Sequence, residues 1–146
     1  MKRKDVVISI RGLQQIDGEL DTVELETCGR YAMENGGYCI SYDESETTGF
    51  AGSHTTLKID QARRQVTMRR SGKTNSQLIV EKGRRHQCLY DTGFGPVTIG
   101  ISGGAVRCTL DETGGELDFS YSMDINAALA SENRVIIRVK ECNTSC

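Results

Sequence analysis

The chain has 146 residues, 37% of them hydrophobic, and carries 18 Lys and Arg against 20 Asp and Glu, a net charge of −2. This length predicts one domain over residues 1–146 that buries roughly 70% of the surface of the unfolded chain. Since charges of both signs are interspersed, we expect neither nucleic acid nor a membrane surface as a partner. No stretch approaches the ~20 apolar residues that a transmembrane helix needs.

The first predicted strand alternates apolar and other residues from Val6 and ends at Gly12. The next two strands, over residues 22–33 and 38–46, surround Asn35-Gly36, a strong signal for a type I′ hairpin turn. Closing on that turn sets Met33 opposite Tyr38, Tyr31 opposite Ile40, Gly29 opposite Tyr42 and Thr27 opposite Glu44. Val23 and Leu25 then continue the apolar face of this hairpin, because side chains alternate along a strand.

A second hairpin is predicted to join residues 54–60 to residues 65–71 through a four-residue loop. It places Leu57 opposite Met68, Ile59 opposite Val66 and Thr55 opposite Arg70. Further strands are predicted over residues 76–82, 86–92, 97–102, 105–110, 117–126 and 134–141, with a turn at Gly103-Gly104. The register of the later hairpins pairs Leu78 with Leu89, Val80 with Gln87, Leu110 with Leu117, Cys108 with Phe119 and Val106 with Tyr121. Residues 127–133 have room for one helical turn.

About ten strands in a meander, with turns every 8–12 residues, are typical of an all-β sandwich or barrel. We predict a single antiparallel up-and-down β-barrel of about eight to ten strands, because consecutive hairpins pair neighbours and closure removes exposed edges. One continuous inner face should bury these side chains: Leu25, Ile40, Leu57, Val66, Met68, Leu110, Leu117, Phe119 and Tyr121.

The six cysteines contain no C-x-x-C pair, and the closest two, Cys142 and Cys146, stand on a polar tail. The first residues are basic but lack the long apolar region of a signal peptide. We therefore expect a cytoplasmic protein with six reduced thiols, no disulfide, no metal and no cofactor.

Catalytic motifs are absent: the sequence has no G-x-S-x-G, P-loop, G-x-G-x-x-G or H-E-x-x-H, and no catalytic residue is assigned. The candidates for function are polar residues in phase with the buried face. Glu44 continues the row of Tyr38, Ile40 and Tyr42, and Arg70 continues the row of Val66 and Met68. An unpaired buried charge is costly, so each must lie at a wet barrel end, pair, or hold a ligand.

Two readings of these charges stay open: a structural pair at the rim of the barrel, or a carboxylate and a guanidinium in a pocket mouth. If Arg70 and Glu44 pair at a wet rim, removing Arg70 should change stability little. His86 and Tyr90 share a face with Cys88, which suits either a pocket or a structural polar network. The predicted register leaves open which face of that strand is inside.

Several segments also carry a family resemblance: residues 22–25 (TVEL), 38–49 (YCISYDESETTG), 70–76 (RSGKTNS), 86–95 (HQCLYDTGFG), 114–117 and 131–133. Together they resemble the YwiB-like proteins, a bacterial family of unknown function, over nearly the whole chain. The resemblance implies a small lipocalin-like (calycin) barrel without an assigned activity. It marks as pattern residues Glu44, Gly49, Arg70, Ser71, Gly72, Ser76, His86, Tyr90, Thr92 and Gly95.

The chain departs from the family where Thr-Pro-Tyr-Gly is replaced by residues 92–95 (TGFG). It also has no tryptophan, and so lacks the G-x-W signature of secreted lipocalins. A lipocalin-like shape therefore does not bring lipocalin function with it.

From the sequence we expect a barrel that binds a small, partly apolar ligand, with Arg70 holding an anionic group and Glu44, Tyr42, Tyr90 and His86 around it. Two alternatives remain. One is a small enzyme that uses His86 or Glu44 as general acid or base. The other is a ligand-free module that binds another protein through its outer face. The sequence does not indicate the oligomeric state.

Overall fold

The computed structural model describes residues 4–34, 36–45, 51–73, 75–91 and 95–142. Their backbone forms ten β-strands, which are β1 (Lys4–Ile16), β2 (Glu19–Glu34), β3 (Gly37–Asp43), β4 (Ser53–Asp60), β5 (Gln65–Gly72), β6 (Ser76–Glu81), β7 (Arg85–Asp91), β8 (Pro96–Cys108), β9 (Gly114–Ile125) and β10 (Ala128–Glu141). Each strand pairs antiparallel with its neighbour in the chain, and β1 pairs with β10. The predicted up-and-down barrel is confirmed.

The first hairpin has the predicted register, with Tyr31 opposite Ile40 and Gly29 opposite Tyr42. Its turn residue Gly36 has a φ of +78°, as the turn signal requires, while residue 35 lies outside the described residues. The predicted pair of Thr27 with Glu44 is wrong. β3 ends at Asp43, and the backbone N–H of Glu44 instead donates to the carbonyl oxygen of Ser53, at 2.9 Å.

The second hairpin, between β4 and β5, is confirmed at every predicted pair, including Leu57 with Met68 and Thr55 with Arg70. Four residues connect the two strands, since Asp60 pairs with Gln65.

Two hairpin turns were missed. β1 runs beyond Gly12, and Asp17 and Gly18 turn into β2 with φ angles of 49° and 80°. Asn126 and Ala127 also have positive φ, 53° and 66°, and connect β9 to β10. Positive φ at both central residues is the geometry of a type I′ turn. The helical turn expected over residues 127–133 is therefore wrong, and that segment begins β10 instead.

Gly103 bends a strand and does not end one. The predicted turn at Gly103-Gly104 is a register shift inside β8, between Gly103 and Val106. A Cβ atom on Gly103 would lie 2.0 Å from the backbone oxygen of Glu81, so only glycine allows this close approach. The β8–β9 register differs from the prediction by two residues, with Cys108 opposite Leu117, because the connecting loop is tighter than expected. A two-residue shift keeps every side chain on its predicted face.

The register of β6 and β7 also differs from the prediction, which paired Leu78 with Leu89. Ser76 pairs with Tyr90 and Gln77 with Leu89. The one-residue difference decides which face of β7 lies inside the barrel, because Cys88 and Tyr90 then face inward with Leu78.

Six of the nine side chains predicted for the inner face are buried: Ile40, Leu57, Val66, Leu110, Leu117 and Phe119. The other three, Leu25, Met68 and Tyr121, pack against the core but are only partly buried. Val23, expected on the same face as Leu25, has 38% of its surface exposed.

The cysteines correct one expectation. Cys28, Cys39, Cys88 and Cys108 are free, but Cys142 is disulfide-bonded. The prediction that all six thiols are reduced is therefore wrong for Cys142.

In the described part of the chain, no three His, Cys, Asp or Glu side chains come close enough to hold a metal ion. No helix among the described residues has the length and apolarity to cross a membrane.

Replacing Phe119 by Ala should lower the free energy of unfolding by about 3–5 kcal/mol, because a fully buried aromatic leaves a cavity. Chemical denaturation measures this loss. Leu129→Ala is the control, since Leu129 is 65% exposed and its truncation should cost under about 0.5 kcal/mol. Equal losses in the two variants would contradict the placement of the core.

Candidate functional site at the open end of the barrel

The two ends of the barrel interior are packed differently. We call the end where β1 begins and β10 ends the closed end, and the end where β4 begins and β5 ends the open end. Along β9 the inward-facing Leu117 and Phe119 are fully buried, but Tyr121 and Met123 further along are partly exposed. Solvent therefore reaches the inner face at the open end.

The same change from buried to partly exposed recurs on the neighbouring strands. It runs from Ile8 to Ile10 on β1, from Tyr31 to Leu25 on β2, from Val66 to Met68 on β5, from Cys88 to Tyr90 on β7, and from Ile137 to Val135 on β10. The inward-facing rows of these strands are thus buried in the closed half and partly exposed in the open half, whereas the rows of β3, β4 and β6 stay buried to the open end, as at Tyr42, Thr55 and Ser76. We refer to the open half as the cup.

An ion pair lies in the wall of the cup. Arg70 near the end of β5 donates from Nε and Nη2 to Oε2 of Glu44, at 3.1 and 3.0 Å. Glu44 follows the last residue of β3, and β4 between β3 and β5 supplies Thr55, whose hydroxyl donates to the same oxygen at 2.7 Å. The predicted pairing of Arg70 with Glu44 is confirmed.

The pair is buried, which the sequence did not predict. The side chain of Glu44 is 1% exposed and that of Arg70 is 10% exposed. The burial argues against the reading of a structural pair at a wet rim, and the small change in stability expected for a wet site therefore does not apply. Removing one partner of a buried pair leaves the other charge uncompensated.

Tyr42 extends the pair into a hydrogen-bonded chain. Its hydroxyl bonds with the side chain of Thr55. Thr55 thus lies between Tyr42 and Glu44, and its bond with Tyr42 lowers the pKa of Tyr42 against the effect of burial. Burial, and then the negative charge of Glu44, raise the pKa of Tyr42 above its ordinary value. The hydroxyl therefore keeps its proton and holds Thr55 in place.

Tyr121 and Tyr90 face the pair from other strands. Burial raises the pKa of Tyr121 to about 12, while the positive charge of Arg70 lowers it and Tyr90 raises it. Three strands separate β9 from β5 in the barrel, so Arg70 and Tyr121 approach each other across the interior. Tyr90, partly buried on β7, completes the group. The structure thus brings four of the five predicted site residues together.

His86 is the fifth predicted residue, and it lies elsewhere. Its Nε2 is 2.9 Å from Oε1 of Glu81, an oxygen that also accepts a hydrogen bond from Gln65. The hydrogen bond with His86 is the largest cause that lowers the pKa of Glu81. Four residues of an extended strand, about 13 Å, separate His86 from Tyr90. His86 therefore belongs to a polar group nearer the closed end.

The largest described groove reaches the pair from outside. It has a volume of about 610 Å³ and opens at the rim where β5, β6, β7 and β8 meet. Its lining includes the inward-facing Arg70 and Ser76 and the outward-facing Leu89 and Gln77. A second groove, of about 400 Å³, runs over the outer face of β10, β1 and β2 between exposed ion-pairing side chains such as Arg11 and Glu24. Only the first touches the buried ion pair.

Sequence reasoning missed Thr55 and Tyr121 as site residues. Thr55 was placed opposite Arg70 but was read only as a neighbour, and Tyr121 was read as core. The sequence did contain a signal for Thr55. The predicted register places its hydroxyl beside Arg70 and one strand away from Glu44, and buried polar groups form hydrogen bonds with their neighbours. The approach of Tyr121 to Arg70 depends on barrel closure, which no local pattern encodes.

The comparisons with known proteins agree with this architecture. A family model described as "Domain of unknown function (DUF1934)" matches residues 8–137. The chain belongs to this family. It is similar to the crystal structure of the ywiB protein from Bacillus subtilis, with a TM-score of 0.84 and 19% identity over 97% of this chain and 94% of that one. At that identity the likeness shows the fold alone. A comparison with curated proteins finds none that matches.

Arg70→Leu should lower the free energy of unfolding by about 3–5 kcal/mol, because it leaves Glu44 buried without its cation. The double variant Arg70→Leu/Glu44→Leu should recover much of this loss. The matched control is Arg138→Leu, whose ion pair with Glu116 is exposed and should contribute about 0–1 kcal/mol. Denaturation of the wild type, of the single variants Arg70→Leu and Glu44→Leu and of the double variant tests the cycle, and additive losses would contradict a coupled, buried pair.

Stability should fall with rising pH between about 10 and 12 in part through Tyr121. The folded protein keeps this phenolic proton up to a pKa of about 12, whereas the unfolded chain loses it near 10. The stabilisation is therefore complete below pH 10 and is lost as the pH rises through 12. Tyr121→Phe should flatten this part of the stability profile. An unchanged profile would contradict the burial of the hydroxyl.

Proposed function

We propose that this protein binds a small, partly apolar molecule in the cup, with an acceptor group of the ligand, such as a carboxylate, at Arg70. The observation that carries the proposal is the loss of burial toward the open end along the inward-facing rows of β1, β2, β5, β7, β9 and β10. A barrel whose interior served stability alone would gain from filling both halves, since each buried methylene contributes about 0.8 kcal/mol.

The walls of the cup fit an amphipathic ligand. Apolar side chains line much of it, namely Ile10, Leu25, Met68, Met123 and Val135. The polar groups gather on one side: the strand register sets Arg70 opposite Ser76 and Ser76 opposite Tyr90, and the charge of Arg70 lowers the pKa of Tyr121. Small-molecule sites commonly combine mostly apolar walls with a few convergent polar groups.

The closed half limits the size of the ligand. Phe119 and Ile8 are fully buried and form part of the floor. From Phe119 to Met123, near the rim, β9 spans four residues, about 13 Å when extended. The depth along the barrel axis is smaller because the strands tilt. The cup therefore suits a compact ring system or a short chain rather than a long acyl chain.

Arg70 is the residue best suited to hold the polar group of the ligand. Glu44 orients its guanidinium through two hydrogen bonds, and the large groove reaches the same residue. A charge-assisted contact with a ligand carboxylate or sulfonate is worth roughly 1.5–3 kcal/mol.

The enzyme alternative has less support. His86 lies with Glu81, apart from the cup, and Glu44 is held by Arg70 and Thr55. The interaction-module alternative is decided by the same experiment as ligand binding, because a protein that uses only its outer face would bind neither probe below.

The test uses two fluorescent probes with the same aromatic frame, anionic 1-anilinonaphthalene-8-sulfonate and neutral N-phenyl-1-naphthylamine. Both should bind the wild-type protein and brighten. Val135→Trp fills the cup and should weaken both by at least tenfold, whereas Ile136→Trp, its neighbour facing outward on β10, should not. Equal effects of the two substitutions would place the probes outside the cup and contradict the proposal.

Arg70→Leu should weaken the anionic probe more than tenfold, as expected for the loss of roughly 1.5–3 kcal/mol, and affect the neutral probe less. Arg138→Leu removes an exposed arginine and is the matched control. Circular dichroism and denaturation curves verify that each variant is folded when the probes are titrated. A similar loss for both probes in Arg70→Leu would exclude Arg70 as the anion contact.

A further inference from the structure

No strand of the barrel is an edge over its whole length, but part of β2 has a partner on one side only. β2 pairs with β1 from Glu19 to Tyr31, whereas its pairing with β3 covers only Gly29 to Glu34. Over residues 19–28, no backbone hydrogen bond to β3 or to a loop is present among the described residues. We call residues 19–28 the one-sided stretch of β2.

The two hairpin turns of β2 decide which backbone groups this stretch presents. The residues that flank a two-residue turn exchange both hydrogen bonds, and such pairs then alternate with pairs that exchange none. Glu19 therefore bonds to Ile16 of β1, and every second residue after Glu19 also bonds to β1. The hairpin of Glu34 with Gly37 requires the same alternation. The N–H and C=O groups of the intervening residues thus point away from β1: Leu20, Thr22, Glu24 and Glu26.

These unpaired groups form a template for one more strand. An extended peptide that pairs with such a row gains main-chain hydrogen bonds, while its side chains alternate between the two faces of the sheet. Val23 and Leu25 of the one-sided stretch face the barrel interior, where Val23 is 38% exposed and Leu25 is partly buried. An added strand would cover both with apolar side chains, because residues directly opposite each other share a face.

The one-sided stretch is acidic. It contains Glu19, Asp21, Glu24 and Glu26, all of them exposed, and has no Lys, Arg or His. The Nε of Arg11 on β1 lies 3.6 Å from Oε1 of Glu24, and the other three carboxylates form no ion pair within the described ranges of the chain. Complementary charge therefore favours a basic partner.

A second copy of this chain does not meet that requirement. Pairing of two one-sided stretches would line all their carboxylates along a single seam, where like charges repel. Charged side chains commonly protect a sheet margin from such self-association. The same charges attract a strand of opposite sign, so the occupant that fits is a basic segment.

We propose that residues 19–28 of β2 are a docking site for an extended, basic segment of another protein, which adds to the barrel wall as an antiparallel strand. Basic side chains of that segment lie opposite Glu24 and Glu26 on the outer face, and apolar side chains lie opposite Val23 and Leu25 on the inner face. The partner is therefore a chain that alternates basic and apolar residues.

The direction of the added strand decides which of its amides are used. Both neighbours of β2 run antiparallel to it, and antiparallel pairing is slightly more stable than parallel pairing. In an antiparallel pair, the residue opposite Glu24 exchanges both hydrogen bonds with it and has its side chain on the outer face. The basic residues of the partner therefore form the main-chain hydrogen bonds, and the N–H groups of its apolar residues point away from β2.

The probe is a capped, fluorescein-labelled peptide that alternates lysine and valine. Fluorescence anisotropy should show saturable binding to the wild-type protein. The control peptide has the same composition with all lysines placed before all valines. It should bind roughly tenfold more weakly or worse, because it has the charge without the alternation that several main-chain hydrogen bonds require. Equal affinity of the two peptides would overturn the proposal, since it would mean attraction between charges alone.

Methylation of the backbone nitrogens of the alternating peptide tests the hydrogen bonds directly. Methyl groups on the lysine nitrogens remove the donors that face β2 and should abolish binding. Methyl groups on the valine nitrogens face away from β2 and should leave binding largely unchanged. The two methylated peptides have the same charge and composition, so equal affinities, or the reverse order, would contradict the proposed pairing.

Thr22→Pro removes one of the N–H groups that point away from β1 and places a ring in the path of the added strand. Proline is tolerated where the N–H of a strand faces solvent, so the barrel should still fold. Binding should weaken by roughly tenfold or more, whereas Thr22→Ala keeps the N–H and should bind like wild type.

Circular dichroism verifies that both Thr22 variants are folded. A folded Thr22→Pro protein with wild-type affinity would overturn the docking site. If Thr22→Pro does not fold, the two methylated peptides on the wild-type protein decide the point.

Reversal of one charge tests the preference for a basic partner. Glu26→Lys should weaken binding of the alternating peptide severalfold. Glu34→Lys makes the same change on the part of β2 that pairs with β3 and should have little effect. The two positions are about 26 Å apart along the strand, which is several Debye lengths at physiological ionic strength. Equal effects would mean that net charge, and not the one-sided stretch, controls binding.

This site is independent of a ligand in the cup, because neither Arg70 nor Glu44 takes part. Peptide docking can fail while both fluorescent probes still bind in the cup, and the probes can fail while the peptide docks. The two sets of titrations therefore separate this inference from the proposed function.

Discussion

Closure of the sheet is the constraint on which the rest of this structure depends. β1 pairs with β10 along ten residue pairs from Val6 to Gln15, so no strand of the barrel is left as an edge. Closure gives every strand an inside and an outside, and the alternation of side chains then decides which residues enter the interior. It also brings Arg70 and Tyr121, on strands separated by three others, to face each other.

Within that frame, the sequence predicted what local rules control. The two hairpins with well-defined loops, at Gly36 and between Asp60 and Gln65, have the predicted registers because turn chemistry and loop length fix strand pairing. The pairing of Arg70 with Glu44 followed from the same registers together with the cost of burying a charge alone. These inferences needed only neighbours on adjacent strands.

The wrong predictions of turns and strand register have a common cause. They depend on backbone conformations that the type of residue predicts only weakly. Asn126 and Ala127 adopt positive φ, which is uncommon for a non-glycine residue, and so a hairpin was read as a helical turn. The bulge at Gly103 reflects the approach of the backbone at Glu81, a contact far away in sequence. The burial of the ion pair and the distance of His86 from the cup depend on where along the barrel the packing ends, and a strand pattern does not record that position.

The burial of Glu44 and Arg70 is costly for a structural device alone. Two charges lose most of their hydration, and replacing such pairs by apolar residues is often neutral or stabilising. The residues around the pair support the ligand site proposed above. Wall residues such as Leu25 and Val135 stay partly exposed beside the pair, although larger side chains there would add buried apolar area.

A pair in this setting keeps a cation fixed in a place from which most water is excluded, with Thr55 and Tyr42 holding the carboxylate. Such preorganisation reduces the reorganisation that a ligand would otherwise have to offset on binding. The low dielectric that makes the pair costly to bury also strengthens the interaction of the pair with any added charge. A cation whose position is fixed before binding is what the proposed ligand site requires of Arg70.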